Sequence, residues 1–185
     1  MLINDFMPKY DFVETHDIKI SAAAEVVFEA LNEADLCDSM IIRWLFFLRG
    51  LPTGKVRLSD MQKLRFETLG KTENREVLLG LAGQFWTIRG NLQKVNADNF
   101  RAFQEKGFAK AVWDFSIDAD GNESRLTTET RIQCLDAESR KSFGFYWTLI
   151  QLFSGLIRKE MLKIVKRKAE FIKKVNEKSA YGECN

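Results

Sequence analysis

The sequence predicts an α+β fold: a curved antiparallel β-sheet wrapped around a long C-terminal α-helix, with two short helices after the first strand. Three observations carry this. From Ser139 to Val175 apolar residues recur at three- and four-residue steps (Phe143, Tyr146 and Trp147, Ile150, Phe153 or Ser154, Ile157, Met161), with no proline to interrupt them. That is the period of an amphipathic helix, about 55 Å long at roughly 1.5 Å per residue. Between Met61 and Cys134 the period falls to two and turn residues break the pattern, as in a strand meander. A single alternating stretch followed by helical patterns precedes the meander.

Taken in order, Tyr10 to Ile20 alternates, with Phe12, Glu14, His16, Ile18 and Ile20 on one face. Ser21 is placed to cap the following helix, Ala22 to Leu31. Ala34 to Leu48 reads as one or two short helices ending at Gly50 and Pro52. Its segment IIRWLFFL is apolar almost all round and so is expected to be buried or to face a cavity. Strands are expected at Lys63 to Gly70, Arg75 to Leu81, within the glycine-bracketed Gln84 to Ile88, at Phe100 to Gln104, and at Phe108 to Asp118 and Ser124 to Cys134. The last two form a hairpin through Ala119-Asp120-Gly121-Asn122. In that hairpin Ala111, Trp113, Phe115 and Ile117 share a face with Leu126, Thr128, Thr130 and Ile132. The other face carries Lys110, Asp114, Ser116, Arg125, Glu129 and Arg131, which predicts a sheet covered on one side only.

The bulk properties narrow the class. With 185 residues, 45% of them hydrophobic and 15 of them phenylalanine, the chain is long and apolar enough to form one domain over 1–185. A net charge of +2 makes no case for nucleic acid. About a third of the Lys and Arg lie between Arg158 and Lys178, a distribution expected of a solvated helix face. Cys37, Cys134 and Cys184 show no metal-ligand spacing and no CxxC pair, and the N-terminus lacks a secretory core. Met40 to Leu51 is too short and too interrupted by arginine to span a bilayer. The expectation is a cytoplasmic protein without a transmembrane segment.

Two stretches near the start, His16-Asp17-Ile18-Lys19-Ile20-Ser21-Ala22 and Glu25-Val26-Val27-Phe28-Glu29-Ala30-Leu31, and two in the hairpin, Ala109 to Phe115 and Leu126 to Arg131, carry a resemblance. With the order of elements over nearly the whole chain, they resemble the helix-grip fold of the START-like (SRPBCC) superfamily, which includes pollen-allergen-like carriers and polyketide cyclases. The resemblance implies a small hydrophobic or lipid-like ligand held between the concave sheet and the long helix.

The residues expected to line that cavity are Trp86, Trp113, Phe115, Thr128 and Thr130 from the sheet and Tyr146, Trp147, Ile150 and Phe153 from the helix, with Trp44 and Phe47 at the rim. Arg49 and Arg158 are the charged residues most embedded in apolar sequence and are the expected polar anchors. His16, the only histidine, reads as structural, and no catalytic residue, metal site or cofactor is expected. Glu129 and Arg131 are expected as solvent-side ion pairs, and Gly155 as a point where the helix kinks or approaches the sheet. The leading reading is a binding module. The alternatives are a cyclase- or dehydratase-type enzyme on the same scaffold, and a protein-interaction module, homodimeric in one version, that uses the aromatic helix face.

Overall fold

In the computed structural model, which describes residues 1–48, 54–58, 60–61, 65–87 and 89–182, the two periods of the sequence become a sheet and a helix. Of 45–48 and 180–182 only the backbone is described. The elements are α1 (Leu2–Phe6), β1 (Phe12–Ile20), α2 (Ala24–Glu33), a 3₁₀ turn (Leu36–Asp38), α3 (Met40–Leu48), β2 (Glu67–Thr72), β3 (Glu76–Gln84), β4 (Gly90–Gln93), β5 (Ala109–Asp120), β6 (Glu123–Cys134) and α4 (Ala137–Gly182).

The sheet is antiparallel and six-stranded, in the order β1-β6-β5-β3-β2, with β4 pairing the far end of β3. β5 and β6 pair along their whole length, from Ala109↔Cys134 to Asp120↔Glu123. The two-residue turn between them puts Gly121 at φ +59°, a conformation that glycine adopts without steric cost.

Helix α4 has 46 residues, about 70 Å of helix, and lies across the concave face of the sheet. Asp136 starts it: its carboxylate accepts from the Ser139 backbone N–H (2.9 Å) and hydroxyl (2.8 Å), and from the Gly107 N–H. Those hydrogen bonds hold the Asp136 carboxyl down at about 2. One end of the concave face is filled solid by Ile20, Val27, Phe28, Leu31, Phe115, Leu126, Met161, Leu162 and Val165.

Three expectations need correction. The convex face is not solvent-facing. Ile3 and Met7, with Val95 and Phe100, cover Leu69, Leu78, Ala82 and Val112, so the central strands are buried on both sides. Phe100 to Gln104 is a turn rather than a strand. The Asn96 and Asn99 side chains bond the local backbone, and Phe100 N–H reaches Asn96 O (3.0 Å), which bends the chain and drops the Phe100 ring onto the sheet. Ser21 does not cap α2, which starts at Ala24; its hydroxyl bonds Glu123 instead (3.3 Å).

Candidate functional site

Strand pairing sorts the concave face into rungs. One runs Leu81, Ala111, Ile132, Phe12; the next Leu79, Trp113, Thr130, Glu14; the third Val77, Phe115, Thr128, His16. Leu81, Ala111 and Ile132 of the first rung and Trp113 and Thr130 of the second form the floor of a cavity of ≈410 Å³. The roof is Phe143, Tyr146, Trp147, Ile150, Ser154 and Arg158 on α4, and Phe66, Phe85, Arg89 and Leu92 close the sides. Phe12 and Phe85 pack edge-on against Phe143, at 5.0 and 5.5 Å, and Trp147 lies tilted by 30° to it at 5.7 Å.

The polar end of the cavity is a single network. Arg158 donates from Nε (3.2 Å) and Nη2 (2.8 Å) to Thr130 Oγ1, and from Nη1 to Glu14 Oε2 (3.1 Å) and to Ser154 Oγ. Its guanidinium also lies over the Trp113 ring, 5.6 Å from the centroid. Burial pushes the Arg158 guanidinium below its ordinary range, and Glu14 opposes that shift. The other oxygen of Glu14 accepts from His16 Nε2 (2.9 Å). Trp113 Nε1 donates to Thr128 Oγ1 (2.7 Å), which fixes the indole in the floor. A second hollow of ≈370 Å³ lies outside, between β1 and α4. It is lined by Glu14, His16, Gly155, Leu156 and Lys159, and shares Trp147 with the cavity.

Of the residues expected at the site, the structure brings Trp113, Thr130, Tyr146, Trp147, Ile150 and Arg158 together on the cavity wall. Phe115 and Thr128 sit one rung further along, fully buried in packing. Trp86 stacks behind the wall on Phe85 and Phe143. Phe153 points to solvent, because Ser154 takes the inward position of that turn. Trp44 is exposed; the Phe47 side chain and Arg49 lie outside the described residues.

Glu14 and His16 share one face of β1 with Phe12, as the alternation predicts, but Glu14's partner Arg158 is 144 positions away and nothing local marks the pairing. Glu129 and Arg131 are not solvent-side. Arg131 is buried and donates to Glu129 (2.6 Å), Asn4 Oδ1 (2.9 Å) and Met7 O (3.0 Å) under the segment that starts with α1. Beside them Asp114 is fully buried with Glu76, and Asp114 has no hydrogen-bond donor within reach. Burial, then the Glu76 carboxylate, push Asp114 up to about 8.

No protein-family model matches the sequence, and no curated protein matches it. Among solved structures, the chain is similar to the protein XoxI from Bacillus cereus, at 12% identity over 88% of this chain and 99% of that one, with a TM-score of 0.36. It is similar to the Zhui aromatase/cyclase from Streptomyces sp. R1128, at 12% identity over 86% of this chain and 93% of that one, with a TM-score of 0.31. It also resembles the di-domain ARO/CYC BexL from the BE-7585A biosynthetic pathway, at 9% identity over 88% of this chain and 48% of that one, with a TM-score of 0.34. Likenesses this distant carry no functional argument. The fold stands on the chain's own topology: one strand, short helices, an antiparallel meander and a long helix held across its concave face are the helix-grip architecture.

Proposed function

We propose that the chain acts as one domain that encloses a small, apolar, ring-bearing molecule in the ≈410 Å³ cavity between sheet and α4. The observation that carries this is the lining itself: aromatic walls with a single buried guanidinium at one end, in a volume suited to a small molecule. Arg158 is already matched by Glu14, so the polar end suits a neutral acceptor such as a carbonyl or phenol oxygen better than a second full charge. Binding is favoured over acid–base catalysis because, among the described residues, no Asp or Glu lines the cavity. The carboxyl with the raised titration, Asp114, is on the opposite face of the sheet.

Native mass spectrometry of the purified chain, with titration of an apolar dye such as anilinonaphthalene sulfonate, tests the reading. Ala111 is the smallest side chain of the floor, so Ala111→Phe fills the cavity and is expected to weaken dye binding about tenfold or more. A clean apo mass with no saturable dye binding, or dye binding that Ala111→Phe leaves unchanged, would overturn it.

A further inference from the structure

We propose that the outward ridge of α4 docks on an anionic lipid bilayer. Phe145, Leu149, Leu152 and Leu156 fall within an arc of about 60° on the helix, opposite the inward stripe of Phe143, Met161 and Val165. They are 73%, 58%, 78% and 40% exposed, and Phe153 beside them is 53% exposed. Soluble surfaces scatter large apolar side chains singly; here five stand together along roughly 16 Å of helix.

The same ridge carries more cations than acids: Lys141 before the apolar block and Lys159, Lys163, Arg167 and Lys174 after it, all exposed, against Glu138, Glu177 and Glu170, the last already paired with Lys166 (3.7 Å). Lys163 is paired with Glu160 (2.7 Å), but among the described residues Lys141, Lys159, Arg167 and Lys174 make no ion pair. The lysines on the helix flanks behave differently. Lys166, Lys168 and Lys173 turn back to the body of the protein and donate to the backbone carbonyls of Lys19, Glu33 and Ser21. The helix therefore fastens itself with its flank cations and leaves Lys141, Lys159, Arg167 and Lys174 of the ridge without an ion pair among the described residues. An apolar block with these cations around it matches the interface of an anionic bilayer, where the block sinks between headgroups and the cations meet lipid phosphates. No helix among the described residues is long and apolar enough to cross a membrane, so this contact lies along the surface.

Charge decides against a second copy as the occupant. Antiparallel pairing centred on the ridge sets Lys141 opposite Lys159 and offers those cations only the exposed Glu138 of each copy, so positive charge stays in excess at both ends of the contact. A nucleic acid would meet the cations and leave Phe145 to Leu156 uncovered.

The test is flotation of the full chain with vesicles of phosphatidylcholine alone and of phosphatidylcholine with phosphatidylglycerol. Binding is expected to the anionic vesicles only, and to weaken in high salt. Leu149→Ser/Leu152→Ser is expected to lower it about tenfold or more, as is Lys159→Glu/Arg167→Glu/Lys174→Glu. All five positions are exposed, so circular dichroism should report unchanged folding. Absence of binding to anionic vesicles overturns the proposal, as does binding that both variants leave intact. A concentration-dependent dimer in light scattering that Leu149→Ser/Leu152→Ser dissolves also overturns it, and gives the ridge to a second copy.

Discussion

The two faces of the sheet bury charge in opposite ways. On the concave face Arg158 and Glu14 lie 3.1 Å apart and are settled by pairing, with Thr130 and Ser154 accepting the remaining guanidinium hydrogens in reach. On the convex face Asp114 and Glu76 have no such partner. The nearest guanidinium, Arg131, spends its donors on Glu129, Asn4 and Met7, and stacks on Tyr10. There the charge is settled by a proton: with Asp114 raised to about 8 by burial and the Glu76 carboxylate, the acid stays mostly neutral at neutral pH. The face that meets the cavity keeps its charges, and the face that meets only protein loses one.

The largest expected effect breaks the concave pair. Glu14→Gln leaves the Arg158 cation buried and unmatched and should destabilise the fold by about 3 kcal/mol in urea unfolding. Adding Arg158→Met should recover most of that loss. A cost under roughly 1 kcal/mol would mean the pair behaves as a solvated one and the contrast between faces is lost.

On the convex face the sign reverses. Between about pH 4 and about 8 the folded chain keeps a proton on Asp114 that the unfolded chain gives up, so this group makes stability fall as pH rises through that window. Asp114→Asn keeps the shape and supplies amide hydrogens toward Glu76. It should stabilise the protein by something on the order of 2 kcal/mol above pH 8 and by progressively less toward pH 4. Melting curves at a series of pH values check this; a variant whose stability follows the parent's at every pH would remove the protonated pair from the account.

The smallest effect sharpens the rung between cavity and core. Trp113→Phe removes the indole N–H and leaves the buried Thr128 hydroxyl without that donor, a loss of about 1 kcal/mol in thermal melts.

What was legible in the sequence followed period and parity. The hairpin of β5 and β6 and the placement of Trp113 and Thr130 on one face follow from strict alternation, and the roof residues Tyr146, Trp147, Ile150 and Arg158 from the helical period. The choice between Phe153 and Ser154 lies a single residue apart in phase, within the uncertainty of a sequence wheel, and the ring fell outward. The convex cover was illegible because its apolar residues come from a five-residue helix and a turn, each too short to show a period. Without that cover in view, Asp114, Glu129 and Arg131 read as an ordinary wet face. The Glu14–Arg158 pair was illegible for another reason: each residue is locally unremarkable, and only the crossing of the first strand by the last helix brings them together.

Gly155 marks that crossing. A Cβ built there would sit 2.7 Å from Glu14 Oε1 and 3.3 Å from His16 Nε2, the ends of two side chains, so a methyl group would have to push them aside. Gly155 is not in the cavity lining, yet it borders the carboxylate that pairs with Arg158 at the cavity's polar end. One added methyl group would therefore disturb the Glu14–Arg158 pair without substituting a single wall residue. The polar end of the cavity is thus adjustable from a position outside its lining.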